Sequence, residues 1–375
     1  MNLLRLAILA LVGCGVGFAA GAPALPVVGQ PLPAWTRGEL DIHQINTGTG
    51  NAAFFIFPDG TTLLLDAASV DRSETRPPFY DAPPRPDRSL RPGQWIVQYI
   101  RRMHPDGPGG ALDYAMLTHF HDDHMGSLTP GAPKSKLGSY RLTGITDVGD
   151  EVPIRRMLDR GWPGYDFPRP LESDMIRNYR RFLAWQHEHR GLVIERFVPG
   201  RNDQLVLRRD PRAFPTVEIR NLAANGWVWT GTGTETRNRF TGGAVPDENN
   251  CSLAFRLTYG AFRYFNGGDM TGMLQPGDPA CADMESAVAW VTGPVDVLAE
   301  DHHGYDNAAS GFFLSVLQPR VHILSVYAAS QPSPGVMRRM LSEQLYPGPR
   351  DIFLTNTDWP GRREHLFRLF GPADA

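Results

Sequence analysis

Residues 118–124 read Thr118-His119-Phe120-His121-Asp122-Asp123-His124, directly after the apolar run Tyr114-Ala115-Met116-Leu117. Three imidazoles and two carboxylates within six positions form a dense set of ligands. Imidazole with carboxylate suits Zn²⁺, Fe or Mn²⁺. The apolar run reads as a buried strand, and the polar residues after it as the loop where α/β folds place their sites. His119 and His121 are two apart on an extended segment, so they point the same way. A turn at Asp122–Asp123 then carries Asp123 and His124 toward a neighbouring point, about 3.5–4 Å away by the usual two-metal spacing.

Three further polar clusters occupy comparable positions. Thr62–Leu65 reads as a strand that ends at Asp66 and the small residues Ala67-Ala68-Ser69. The pair 252–259 and 262–265 reads as a hairpin across Gly260, leading into Asn266-Gly267-Gly268-Asp269. A strand at 296–299 ends at Glu300-Asp301-His302-His303-Gly304. Asp66, the 119–124 run, Asp269 and His302/His303 thus all follow apolar strands, and such clusters converge on one edge of a sandwich. Other strands are expected at 40–45, 53–57, 193–197, 204–207, 216–222, 321–326 and 351–354, with helices at 94–103, 171–190 and 334–345. Residues 71–93 read as a surface loop, and 129–190 as an insertion into a domain spanning 39–375. Within the insertion the helix carries Arg177, Arg180, Arg181 and Arg190. Most of these are expected on a solvated face, although long loops are often binding elements.

The H-x-H-x-D-H run resembles the metal motif of the metallo-β-lactamase fold. Asn249-Asn250-Cys251-Ser252-Leu253, Asp269, Asp296-Val297-Leu298 and His302-His303-Gly304 are similar to the metallo-β-lactamase-like domain of the bacterial competence DNA-uptake channel. Gln44–Asp66 and Leu317–Val321 fit the same group. The resemblance implies an α+β, four-layer αββα sandwich. It implies His119 and His121 on one metal and Asp123 and His124 on a second. Asp269 would bridge them, His302 would complete the second metal, and His303 would orient substrate or leaving group. Asp66 would back the metal loop, and Asp122 would stand aside. Two departures stand out. No His lies between His189 and Asp269, and His187 and His189 come too early to replace a ligand there, so Asn250 or water would complete the first metal. Tyr327, Ser330 and Ser333 stand where related domains carry histidines.

The 375-residue chain is 42% hydrophobic and 21% charged, as expected for a globular protein. Its net charge of −3 gives no global electrostatic case for nucleic acid. Arg5 and the apolar stretch Leu6–Val12 mark residues 1–22 as an export signal. Two endings compete: a lipobox at Leu11-Val12-Gly13-Cys14 that would lipidate Cys14, or cleavage near Ala20–Ala24. A cytoplasmic chain with an apolar start is the third reading. A Pro-rich leader follows at 23–38. Cys251 and Cys281 could pair in an oxidising compartment or remain two separate buried thiols.

The expectation is an exported, periplasmic, secreted or envelope hydrolase of the metallo-β-lactamase superfamily, holding one or two Zn²⁺ ions or Mn²⁺. It would activate a water, with Asp123 in the catalytic set, against phosphodiester-type bonds. A lactam, lactone or other ester is the alternative substrate class, and a metal-binding envelope protein without turnover the third reading. The only membrane contact expected is a lipid anchor at Cys14.

Overall fold

A computed structural model describes residues 29–70, 82–241, 245–273 and 277–357. The signal, Cys14, residues 23–28 of the leader and residues 71–81 of the 71–93 loop lie outside the described residues. No described helix is long and apolar enough to cross a membrane.

Two sheets form the centre. The first contains β1 (Asp41–Gln44), β2 (Ala53–Ile56), β3 (Thr62–Leu65), β4 (Tyr114–Met116), β5 (Arg156–Asp159) and β6 (Val193–Arg196), side by side in that order. The β1–β2–β3 meander is antiparallel, and β3 to β6 run parallel. The second contains β7 (Val217–Ala224), β8 (Trp227–Trp229), β9 (Thr236–Asn238), β10 (Ala254–Tyr259), β11 (Phe262–Asn266), β12 (Val297–Ala299), β13 (Val321–Leu324) and β14 (Asp351–Leu354). Its order is β14-β13-β12-β11-β10-β7-β8-β9, and β11 to β14 are parallel.

The strands are short apolar runs because both faces of each sheet are covered. Successive residues alternate between cores, as the two-residue repeat of a strand requires. Phe55, Leu63, Leu65, Tyr114 and Met116 face Phe255, Leu257 and Tyr264 between the sheets. Phe54, Ile56, Leu64 and Ala115 face the opposite way. There they meet the apolar sides of α1 (Pro92–Met103), α3 (Ile145–Glu151) and α4 (Asp174–Arg190), with the single-turn α2 (Asp122–Met125) at the end of β4. Ala254, Phe265, Leu298 and Leu324 pack beneath α5 (Met284–Thr292), α6 (Gly311–Leu317) and α7 (Pro334–Met340). Each fully buried Leu or Phe in these cores contributes about 1.5–3 kcal/mol. The result is a four-layer αββα sandwich.

Residues 129–190, read from the sequence as an insertion, contribute to the first sheet and to the helices that cover it. They supply β5, hydrogen-bonded between β4 and β6, and α4, which covers the sheet. The strand hides in the sequence because Arg155 and Arg160 flank only four residues. Arg160 is nevertheless fully buried. Helix α4 starts where Ser173 accepts a hydrogen bond from the Ile176 amide and stops at Gly191 in the left-handed conformation. No strand forms at 204–207. There the Gln204 side chain bonds Arg196 and Val198 of the neighbouring segment instead. The Gly-rich stretch after β7 contains β8 and β9, neither of which was expected from the sequence.

Candidate metal centre

The parallel strands β3, β4, β11, β12 and β13 all deliver polar residues from their C-terminal ends, the usual place for a site in such sheets. Asp66, the 119–124 run, Asp269 and His303 meet there. The ligand atoms of Asp123, His124, Asp269 and His303 lie within 4.8 Å of one another, and so do those of His119, His121 and Asp123. Asp269 faces both halves. Its Oδ1 lies 3.0 Å from His124 Nε2, and its Oδ2 lies 3.7 Å from His119 Nε2 and 3.5 Å from His303 Nε2. His119 Nε2 and His121 Nδ1 are 3.1 Å apart.

His303, rather than His302, joins the second half. Both residues take left-handed backbone angles, φ 47° and 56°. Consecutive residues in that conformation throw their rings apart. His303 Nε2 comes within 3.3 Å of Asp123 Oδ2. His302 stays at the rim, 4.0 Å from Asp269, between the side-chain amides of Asn249 and Asn307. Asn250 does not face the ligands as expected, because its Oδ1 accepts from the amide and hydroxyl of Thr271. It steadies the loop that presents Asp269. Asp122 accepts from the Ser127 hydroxyl and belongs to neither ligand group.

The surrounding hydrogen bonds fix the rings. Asp66 accepts from the Thr118 amide (2.7 Å), the Thr118 hydroxyl (2.8 Å), Asn51 Nδ2 (2.9 Å) and His124 Nδ1 (2.8 Å). With Nδ1 donating, His124 turns Nε2 to the centre. His303 Nδ1 likewise donates to the Ser325 carbonyl at 2.8 Å. Asn51 ties the two halves together, since its Oδ1 accepts from the Ser325 hydroxyl at 2.7 Å. Gly268, at φ +62°, lets the Asp269 loop press on the metal loop. A Cβ there would lie 2.9 Å from Thr118 Cβ and 3.0 Å from Ser252 Cβ.

Sequence reasoning missed three supports. Glu248 accepts from the Phe120 amide, between the first two histidines, and pairs with buried Arg160, which lies over the Phe120 ring. Tyr327 donates to Asp123 Oδ2 at 2.5 Å and packs edge-on to His303. Asn51 sits in a Gly/Thr/Asn turn that carries no ligand pattern. Only Tyr327 left a signal, as the residue standing where a histidine was expected.

Burial and charge divide the protons. Burial opposes the charged forms of His124 and His303, but Asp269 with Asp66 holds His124 well above the ordinary imidazole range. Asp269 and Asp123 raise His303 to about 9. Burial and the charge of His124 push His119 well below that range. Asp123 and Asp269 are buried yet held below the usual carboxylate range, Asp123 chiefly by the His303 hydrogen bond and Asp269 chiefly by the charge of His124. A buried cluster of imidazoles and ionised carboxylates, with outer nitrogens already engaged, fits one or two divalent cations. His119, His121 and Asp123 could hold one, and Asp123, His124, His303 and Asp269 the other, with Asp269 also 3.7 Å from His119. Cys251 and Cys281 are free thiols, and burial pushes Cys251 up to about 12, so it is no nucleophile.

No family model matches the chain, and no curated protein matches it in sequence. Among solved structures it is similar to CmlA, a diiron β-hydroxylase from Streptomyces venezuelae, at 14% identity and TM-score 0.42, over 87% of this chain and 54% of that one. It thus spans about half the length of the hydroxylase. It is also similar to Zn²⁺-bound PqqB from Methylobacterium extorquens, at 11% identity and TM-score 0.35, over 73% and 76%. The short form of human tRNase Z matches at 11% and 0.35, over 76% and 91%. These likenesses are distant, and the architecture rests on the chain's own strand order and cores.

Proposed function

We propose that the protein is a metal-dependent hydrolase acting on phosphodiester-type bonds. The observation that carries this reading is a pair of donor sets that share Asp123, with Asp269 3.0–3.7 Å from histidines of both. Two divalent ions held in these adjoining sets would supply an activated water and stabilise charge on the attacking and leaving oxygens. The chain's own residues do the rest. Asp66 and the Ser325 carbonyl hold His124 and His303 in the tautomer that presents Nε2 inward. Tyr327 fixes the rotamer of Asp123. His302, half-buried at the rim beside Asn249, is placed to meet substrate. The likeness of the Asn249–Leu253 and His302–Gly304 segments to the competence-type domain favours a phosphodiester over a lactam or lactone. The export signal read at residues 1–22 would place this activity outside the cytoplasm.

The test is cleavage of bis(p-nitrophenyl) phosphate by the metal-loaded protein with Zn²⁺ or Mn²⁺, beside Asp269→Ala. Turnover lost in the variant supports the reading. A folded, metal-loaded protein that cleaves a lactone instead moves the substrate class to esters. Tight metal binding without turnover on either leaves a binding protein.

A further inference from the structure

Four residues beyond His124, Leu128 begins the wall of a cleft of about 680 Å³, within the size range of small-molecule sites. Leu128, Thr129 and Pro130 form one side. The hairpin Lys134–Arg141 forms the second, clamped by buried Asn178, which accepts from the Arg141 amide and donates to its carbonyl. One face of α4 forms the third, with Asp174, Arg177 and Arg181 in helical register. Four cations therefore line the cleft against one carboxylate, and Asp174 is already paired with Arg177 at 2.7 Å. This local excess stands against a chain whose net charge is −3. Among the described residues, the side chains of Lys134, on the hairpin, and Arg181, on α4, have no hydrogen-bond or ion-pair partner. The chain between His124 and Leu128 spans at most about 14 Å, so the edge of the cleft lies near the metal centre.

We infer that this cleft binds a phosphate group of the substrate remote from the scissile bond. The inference rests on the phosphodiester reading for its substrate and on the cleft's charge for its ligand. Arg and Lys side chains lining one cleft match phosphate oxygens in charge and hydrogen-bonding capacity.

The experiment is calorimetric titration of the metal-loaded protein with inorganic pyrophosphate at low salt, comparing wild type with Lys134→Gln/Arg181→Gln and with malonate as the carboxylate control. Pyrophosphate also ligates metal ions, but binding at the metal centre is common to both proteins and cancels in the comparison. The expected result is pyrophosphate binding at least tenfold weaker in the double variant, with malonate bound weakly by both. Equal pyrophosphate binding by the two proteins, or none by wild type, overturns the site. Malonate discriminating as strongly as pyrophosphate overturns the assignment to phosphate. The readout involves no turnover, so failure of diester cleavage with the pyrophosphate difference intact would remove the hydrolytic reading and still support the anion site.

Discussion

Asp66 takes four hydrogen bonds and touches no other ligand than His124. Its replacement by Ala frees the His124 ring to turn and leaves Asn51 and Thr118 without an acceptor. Loss of such an outer partner weakens metal binding by about 10- to 100-fold, to be read by competition with a chromophoric chelator. The two adjacent histidines give a sharper contrast. His303→Ala is expected to lower the bound metal measured by elemental analysis, because it removes a donor from the Asp123–His124–Asp269 group. His302→Ala is expected to keep its metal content and raise KM, because His302 faces the rim. Equal metal loss in both variants would put His302 back among the ligands.

At the scale of elements, β5 and the loop before β10 hold the metal loop through Arg160 and Glu248. The Arg160 side chain is fully buried and the Glu248 side chain is 17% exposed. Arg160→Ala leaves that carboxylate without its cation against the Phe120 amide. The expected loss is about 3 kcal/mol in urea unfolding, with lowered metal affinity as the 119–121 segment loosens. A variant as stable as wild type would show that the pair is dispensable. The ligand-bearing elements were legible in the sequence because each is an apolar run with a polar end: Asp66, the 119–124 run and Asp269 all fell where the strands put them. The supports were not. Arg160 and Glu248 lie 88 residues apart and are neighbours only because β5 enters the first sheet. The choice between His302 and His303 turned on two left-handed backbone angles that no pattern of residue types encodes.

For the whole molecule, the metal-free centre is a charged network. His303 titrates near 9 when folded, against about 6.5 in an unfolded chain. Its contribution to stability is fully present below about pH 6.5 and is lost as pH rises through about 9. A cation needs the same imidazole neutral, so metal loading at pH 7 must expel its proton and that of His124. Calorimetry in buffers of different ionisation enthalpy should therefore show proton release on binding, and affinity should rise with pH toward about 9. A titration that is independent of buffer would contradict the charge state assigned to both rings.

The position of Asp269, beside His119 of one set and His124 and His303 of the other, has a thermodynamic corollary. Any ion that draws Asp269 toward one half changes the field and the geometry at the other, so the halves cannot fill independently. Linkage makes the effect reciprocal: the factor by which the first occupant alters the second's affinity is the factor by which the second alters the first's. A stepwise isotherm should then deviate from two identical, independent sites. Substituting Asp269 by Asn, which removes its charge from both halves at once, should shrink the deviation.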